Sequence, residues 1–129
     1  MGEALIPDEV RDFLLGHVDS IAQLEALLLL RGDPACAWSA ETLAKRLYIT
    51  TQEAAVVLER LQADSFVAAA PDAPGGYQYH PASDELATMI DRVAALYVQY
   101  LIPVTHLIHA KPRTRVQEFA DAFKLRKGD

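Results

Sequence analysis

The sequence predicts a mainly α-helical fold with one small β-hairpin, and three observations lead to this prediction. Apolar residues recur at helical spacing along most of the chain, most densely in residues 21–31. A strong turn signal in residues 71–76 (PDAPGG) separates two short stretches with β-strand character. A second long run of helical periodicity begins after residue 83. We therefore expect a helical domain that contains a hairpin, followed by a long C-terminal helical extension.

The composition fits one folded domain in a reducing compartment. The chain has 129 residues, of which 51% are apolar, and this is enough for a sizeable core. Because no run of about 18 apolar residues occurs, we expect no membrane span. The N-terminus lacks the basic start of a signal peptide, and the single cysteine, Cys36, cannot form an intrachain disulfide. These features predict a cytoplasmic protein without a membrane partner.

Two helices are expected in the first third of the chain. Pro7 marks the start of the first helix, and it is followed by two acidic residues, which are favoured in a first helical turn. Either Asp19 or Ser20 caps the second, in residues 21–31, whose leucine-rich stripe should lie in the core. Residues 32–34 (GDP) end this helix, because glycine favours a helix C-cap and proline cannot continue a helix.

Residues 39–63 predict two short helices that cross steeply around a tight turn. Ser39 can cap the first helix, and either Thr50 or Thr51 can cap the second. The apolar face of the second helix comprises Ala54, Val57, Leu58 and Leu61. Two helices joined by so short a turn have helix-turn-helix geometry, in which the second helix can enter a DNA groove.

A hairpin and a long helix should follow. Residues 65–70 and 77–80 predict the two strands of the hairpin. Ser83 caps the long helix, which is expected to reach Leu107, with a kink or interruption at Pro103. A final short helix is expected in residues 114–127.

Apolar residues of the long helix recur every seven positions, which is typical of a seam between two helices. This pattern predicts a homodimer with the long helix at its interface, and burial against the body of the same chain is the competing interpretation. The residues of the repeat are Leu86, Ile90, Val93, Tyr97, Tyr100, Val104 and Leu107.

Charge is spread unevenly along the chain, whose formal net charge is −6. Residues 1–110 hold six basic and fifteen acidic side chains, whereas residues 111–129 hold six basic and three acidic ones. DNA phosphates bind Lys and Arg, so the basic C-terminus is the expected phosphate-binding region. Its candidate contacts are Lys111, Arg113 and Arg115, and a solvated helix face and tail is the alternative interpretation.

The stretch LAKRLYITTQEAAVVLERL, with the strands that flank the turn, resembles the winged helix-turn-helix family of bacterial DNA-binding transcriptional regulators. The resemblance covers roughly residues 21–79. We expect a winged-helix domain in residues 1–82 and a dimerising extension in residues 83–129. Many family members have glycine in the turn, where this chain has Tyr48. Because tyrosine tolerates a positive φ poorly, we expect this turn to adopt another conformation.

The resemblance implies a homodimeric transcriptional regulator that binds DNA through the second helix of the pair. Its exposed hydrogen-bond donors suited to DNA are Thr51, Gln52 and Arg60. Glu53 and Glu59 on the same helix would repel phosphates. The competing hypothesis is therefore a non-enzymatic protein-interaction module that has the fold but does not bind DNA.

The sequence offers no clear site for catalysis, for a cofactor or for a metal. The glycine pair in residues 71–76 lies in a hairpin rather than before a helix, so it does not form a phosphate-binding loop. His106 and His109 have a spacing that allows two metal ligands, but no third ligand is evident. We expect no enzyme activity and no cofactor. A third functional hypothesis is a small-ligand sensor whose pocket is lined by Trp38, Tyr97 and Tyr100.

Overall fold

The computed structural model describes residues 6–110, and the helical fold with a small hairpin is confirmed in these residues. They form six α-helices and one two-stranded antiparallel sheet. In chain order the elements are α1 (Asp8–His17), α2 (Ile21–Gly32), α3 (Ala40–Leu47), α4 (Thr51–Ala63), β1 (Val67–Ala69), β2 (Tyr77–Tyr79), α5 (Asp84–Gln99) and α6 (Leu101–Ala110). The helix predicted in residues 114–127 lies outside the described residues.

Side-chain caps fix the start of four helices, as the sequence predicts. In each case a hydroxyl oxygen accepts a hydrogen bond from the backbone N–H three residues later, which is worth about 1 kcal/mol. In α3 and α4 the third residue also bonds back to the cap, which completes a capping box. The capping residues are Ser20, Ser39, Thr50 and Ser83.

The turn between α3 and α4 depends on one left-handed residue, Tyr48, at φ 58° and ψ 43°. The N–H groups of Tyr48 and Ile49 both donate to the carbonyl oxygen of Ala44, and this closes the end of α3. The expectation that this turn adopts another conformation was therefore wrong. The left-handed conformation costs a non-glycine residue about 1–2 kcal/mol. The Tyr48 ring is 95% exposed, so it need not fit into the core.

The hairpin extends to the entrance of α3 through a single bridge. Strands β1 and β2 pair antiparallel, with Val67 opposite Tyr79 and Ala69 opposite Tyr77. Trp38, which precedes α3, exchanges two backbone hydrogen bonds of 2.8 Å with Tyr77. The hairpin is therefore fixed to the same segment that leads into the helix pair.

The hairpin loop needs its two glycines for different reasons. Gly75 has a φ of +79°, in the region that favours glycine. Gly76 is buried, and a Cβ atom there would lie 3.1 Å from the carbonyl oxygen of Ala73 and 3.2 Å from the Cβ of Ala37. A side chain at position 76 would therefore be crowded against the segment before α3.

The core consists of two neighbouring clusters of buried side chains. The first lies between α2, α3, α4 and β1, and Phe66 is its largest fully buried side chain. The second joins α1 to α5 and α6. Helix α2 contributes Leu27 to the first cluster and Leu24 to the second, and α5 likewise contributes Ile90 and Val93. The described part of the predicted extension is thus packed onto the rest of the chain.

The single long helix predicted after Ser83 is instead two helices, α5 and α6, bent by 112° at Tyr100. An interruption was predicted at Pro103, and the break lies three residues earlier, because proline has no N–H to donate to the Gln99 carbonyl but fits in the first turn of α6. The bend lets α6 fold back onto α1.

Most residues of the seven-residue repeat pack against other parts of the same chain. Ile90, Val93 and Val104 are buried, and Tyr97 packs beside them as a half-buried side chain. Burial, and then the nearby Glu25 carboxylate, raise the pKa of Tyr97, and the Thr105 side chain of α6 partly offsets this rise. The competing interpretation, burial against the body, therefore holds for most of this stripe.

No single helix in residues 6–110 is long and apolar enough to cross a membrane. Helices α1 and α2 together have the length and apolar composition of a membrane span, and so do α5 and α6. However, the two helices of each pair are bent relative to each other, by 108° and 112° respectively.

The strain at Tyr48 leads to a stability prediction. Replacing Tyr48 with glycine should raise the free energy of unfolding by about 1 kcal/mol and the Tm by roughly 4 °C, because the left-handed strain is relieved. Tyr48→Ala is the matched control, since alanine keeps the Cβ that causes the strain. Ser65, also left-handed at φ 64°, should respond to glycine in the same way. Thermal unfolding followed by circular dichroism measures all three, and an unchanged Tm for Tyr48→Gly would contradict the prediction.

Candidate nucleic-acid interface

The exposed side chains best suited to contact a nucleic acid meet where α3 joins α4. Lys45 and Arg46 lie in the last turn of α3, Tyr48 is in the turn, and Thr51 and Gln52 begin α4. All five side chains are exposed. We call these five residues the α3–α4 corner. It combines cations, an aromatic ring and hydrogen-bonding side chains, which together suit phosphates and bases.

The start of α4 presents free backbone donors at this corner. The Thr50 hydroxyl accepts from the Glu53 N–H at 3.0 Å, and the Glu53 carboxylate accepts from the Thr50 N–H at 3.2 Å. A helix start has no intrahelical partners for its first N–H groups, which here belong to Thr51 and Gln52. The Glu53 carboxylate, which we expected only to repel phosphate, thus also has a structural role in the capping box.

Lys45 and Arg46 differ from the other cations in residues 6–110. Neither side chain takes part in a hydrogen bond or an ion pair with any described residue. Arg11 is half-buried, with its Nε enclosed. The other three arginines are held by carboxylates: Arg31 by Asp91, Arg60 by Asp19 and Asp64, and Arg92 by Glu9. Among described residues, the exposed cations free to bind a phosphate are therefore the two at the corner.

Tyr48 lines two shallow depressions on either side of the turn. One also contains Lys45 and Glu41, and the other contains Arg46 and Glu25. Each depression thus has one cation and one carboxylate. The corner is therefore electrically mixed rather than strongly basic, and a bound phosphate would have to contact the lysine or arginine directly.

The structure brings two of the predicted DNA contacts together and places the third apart. Thr51 and Gln52 lie at the corner, whereas Arg60 is eight residues beyond Gln52, about 12 Å along the helix axis. The Arg60 guanidinium lies 2.6 Å from Asp19 and 3.2 Å from Asp64. Arg60 therefore fixes α4 to the segment between α1 and α2. The remaining predicted contacts, Lys111, Arg113 and Arg115, lie outside the described residues.

The sequence analysis did not name Lys45, Arg46 or Tyr48 as candidate contacts. The signal was present, because both cations lie in the stretch that carries the family resemblance. Within the helix pair, the predicted contacts lie only on the second helix, although a steep crossing also exposes the last turn of the first helix. Tyr48 was considered only as a residue unsuited to the turn.

The residues of the hypothetical ligand sensor do not share one cluster. Trp38 packs against the first core cluster, whereas Tyr97 packs against the second. Among residues 6–110, no group of three or more His, Cys, Asp or Glu side chains is arranged to hold a metal ion, and His106 and His109 are exposed. Residues 71–76 of the hairpin loop contain no cation, so the loop itself offers no charged phosphate contact.

Comparison with known proteins gave no relative: no family model, curated protein or solved structure matches this chain.

The ion pairs of Arg60 predict a role in stability. Arg60→Ala should lower the free energy of unfolding by about 1 kcal/mol, because two partly exposed ion pairs are lost. Arg46→Ala removes the same side chain from a site without ion pairs and should change stability by less than about 0.5 kcal/mol. Urea unfolding of the two variants measures the difference. Equal effects would show that the Arg60 pairs contribute nothing specific.

Proposed function

We propose that this protein is a DNA-binding transcriptional regulator of the winged-helix type, acting as a homodimer. The observation that carries the proposal is the position of Lys45 and Arg46. They are exposed, are free of partners within residues 6–110, and lie beside the start of α4. Two free cations beside an exposed helix start suit a contact with the DNA backbone, because phosphates bind both cations and backbone N–H groups.

The order of the elements supports the same proposal. The chain has a helix, a strand-like bridge at Trp38, the α3–α4 pair and then the β1–β2 hairpin. This is the order expected for a winged helix, with α4 as the recognition helix and the hairpin as the wing. In this arrangement α4 enters the major groove and the last turn of α3 lies near the DNA backbone.

Each side chain at the corner has a distinct role in this proposal. Lys45 and Arg46 contact phosphates and position the protein on the duplex. Gln52 and Thr51 face base edges, and glutamine can bond adenine with two hydrogen bonds. The Tyr48 ring, 95% exposed, packs against the sugar-phosphate backbone. With so few cations, affinity should be modest and strongly salt-dependent.

The second candidate function is a protein-interaction module that does not bind DNA. The observation that favours it is the acidic and apolar character of the surface beside the corner. Val56 is 60% exposed, and it shares a depression with Gln52 and Glu53. Glu41 and Glu25 line the depressions around Tyr48. A basic, partly apolar segment of another protein would match this surface.

Salt-dependent binding distinguishes the two functions. Fluorescence anisotropy with a labelled duplex should give a log–log salt slope that becomes shallower by about 0.9 per protomer in Lys45→Ala and again in Arg46→Ala. Arg92→Ala is the matched control, because that guanidinium is held by Glu9 on α1. Slopes that match the wild-type slope in both corner variants would overturn the proposed phosphate contacts. Arg113→Glu and Arg115→Glu in the same assay test the C-terminal contacts predicted from the sequence.

Sequence preference tests the regulator itself. Selection from a random DNA pool should recover an enriched motif with the wild-type protein. Gln52→Ala should lower the discrimination between bases at one position of that motif by about 1–3 kcal/mol. Gln62→Ala is the matched control, since Gln62 is an exposed glutamine near the other end of α4. If no motif is enriched at low salt, the regulator function is wrong and the interaction module is favoured.

A further inference from the structure

The Tyr48 side chain is exposed to an extent that folding does not explain. Its ring is 95% exposed, the highest value among the large apolar side chains of residues 6–110. Its backbone is left-handed, at φ 58° and ψ 43°, a conformation that destabilises most residues with a Cβ atom. A glycine at this position would form the same turn without that strain. The ring therefore stabilises neither the core nor the turn, and an aromatic side chain at such a position indicates contact with a ligand.

The turn between α3 and α4 holds the backbone that carries this ring. The N–H groups of Tyr48 and Ile49 both donate to the carbonyl oxygen of Ala44, at 3.1 Å for Ile49. Directly after the turn, the capping box of Thr50 and Glu53 fixes the start of α4. A tyrosine on a rigid turn has little conformational freedom to lose when a ligand stacks on it, so binding through this ring is favourable.

The charges around the ring match a ligand with a flat group between two anionic groups. Tyr48 lines two depressions, of which one contains Lys45 and Glu41 and the other contains Arg46 and Glu25. Neither cationic side chain has a hydrogen-bond or ion-pair partner among residues 6–110. A nucleic acid strand has the matching pattern, because a phosphate lies on either side of each nucleotide. The two carboxylates weaken the attraction for phosphate alone, so contact with the base has to add to the affinity.

We propose that Tyr48 stacks on an unpaired base of DNA, while Lys45 and Arg46 contact the phosphates on either side of that base. In an intact duplex the bases stack on each other, so an exposed ring reaches only the sugar-phosphate backbone. In an unpaired stretch each base has a free face, and an aromatic side chain binds such a face with little regard to sequence. The α3–α4 corner therefore prefers DNA whose bases are unpaired at the contact.

This inference rests on the phosphate contacts of the proposed function and extends them to locally unpaired DNA. Binding to duplex DNA with an enriched motif, but without a preference for unpaired bases, would overturn the stacking contact and leave the regulator in place. A preference for unpaired bases without any enriched duplex motif would do the reverse.

Fluorescence anisotropy of the full chain with two labelled probes tests the stacking contact. One probe is an intact duplex, and the other is the same duplex with a short central stretch of mismatched, unpaired bases. Both probes carry the same number of phosphates, so a difference in affinity reports on the bases. The wild type should bind the mismatched probe about 10-fold more tightly, as expected for one stacked base. This affinity ratio should change little as salt is raised, although both affinities fall, because stacking releases few counterions.

Substitutions of Tyr48 test whether the ring causes the preference. Tyr48→Phe keeps the aromatic face and should keep the affinity ratio. Tyr48→Leu keeps an apolar side chain without an aromatic face and should lower the ratio to about 1. Lys45→Ala is the matched control, because loss of a phosphate contact should weaken binding to both probes and leave their ratio unchanged. Circular dichroism and thermal unfolding confirm that each variant remains folded.

A wild-type protein that binds both probes equally well would overturn the stacking contact. So would a folded Tyr48→Leu variant that keeps the wild-type affinity ratio. If neither probe binds even at low salt, both the stacking contact and the proposed regulator are wrong.

Discussion

The burial of α2 on both sides is the constraint on which the rest of the structure depends. Leu27 and Leu30 lie in the first core cluster, and Leu24 lies in the second. Burying one leucine side chain is worth about 1.5–3 kcal/mol, so the stripe supplies a large share of the driving force. Helices α3 and α4 pack on one side of α2, while α1, α5 and α6 complete the other cluster.

The arrangement of charge matters more than its sum in this protein. A net charge of −6 argues against a DNA-binding protein when it is treated as a single number. In the folded chain, however, carboxylates hold three of the arginines and leave Lys45 and Arg46 free among described residues. The left-handed Tyr48 stands beside them. Strain of this kind often accumulates at functional sites, and here it occurs where the proposed DNA contact would form.

Local features of the chain were predictable from the sequence because short-range interactions decide them. The caps at Ser39 and Ser83 bond within three residues, and the glycine-rich loop of the hairpin is set by local backbone preference. The interruption three residues before Pro103 follows from the missing N–H of this proline. Thr51 and Gln52 were likewise placed correctly on an exposed helix start, because the spacing of the apolar face leaves them outside it.

Only the tertiary structure decided which surface covers each apolar stripe and which charged side chains form ion pairs. Periodicity in α5 and α6 identified the apolar side but not its partner, and the 112° bend turned most of that side onto the same chain. The sequence predicted Arg60 as a DNA contact but not its ion pair with Asp19, 41 residues away in sequence. Tyr48 adopts the left-handed conformation because the crossing of two packed helices outweighs the preference of one residue. The sequence by itself thus determined where most helices begin, because caps are local, while long-range packing determined which side chains remain exposed and unpaired.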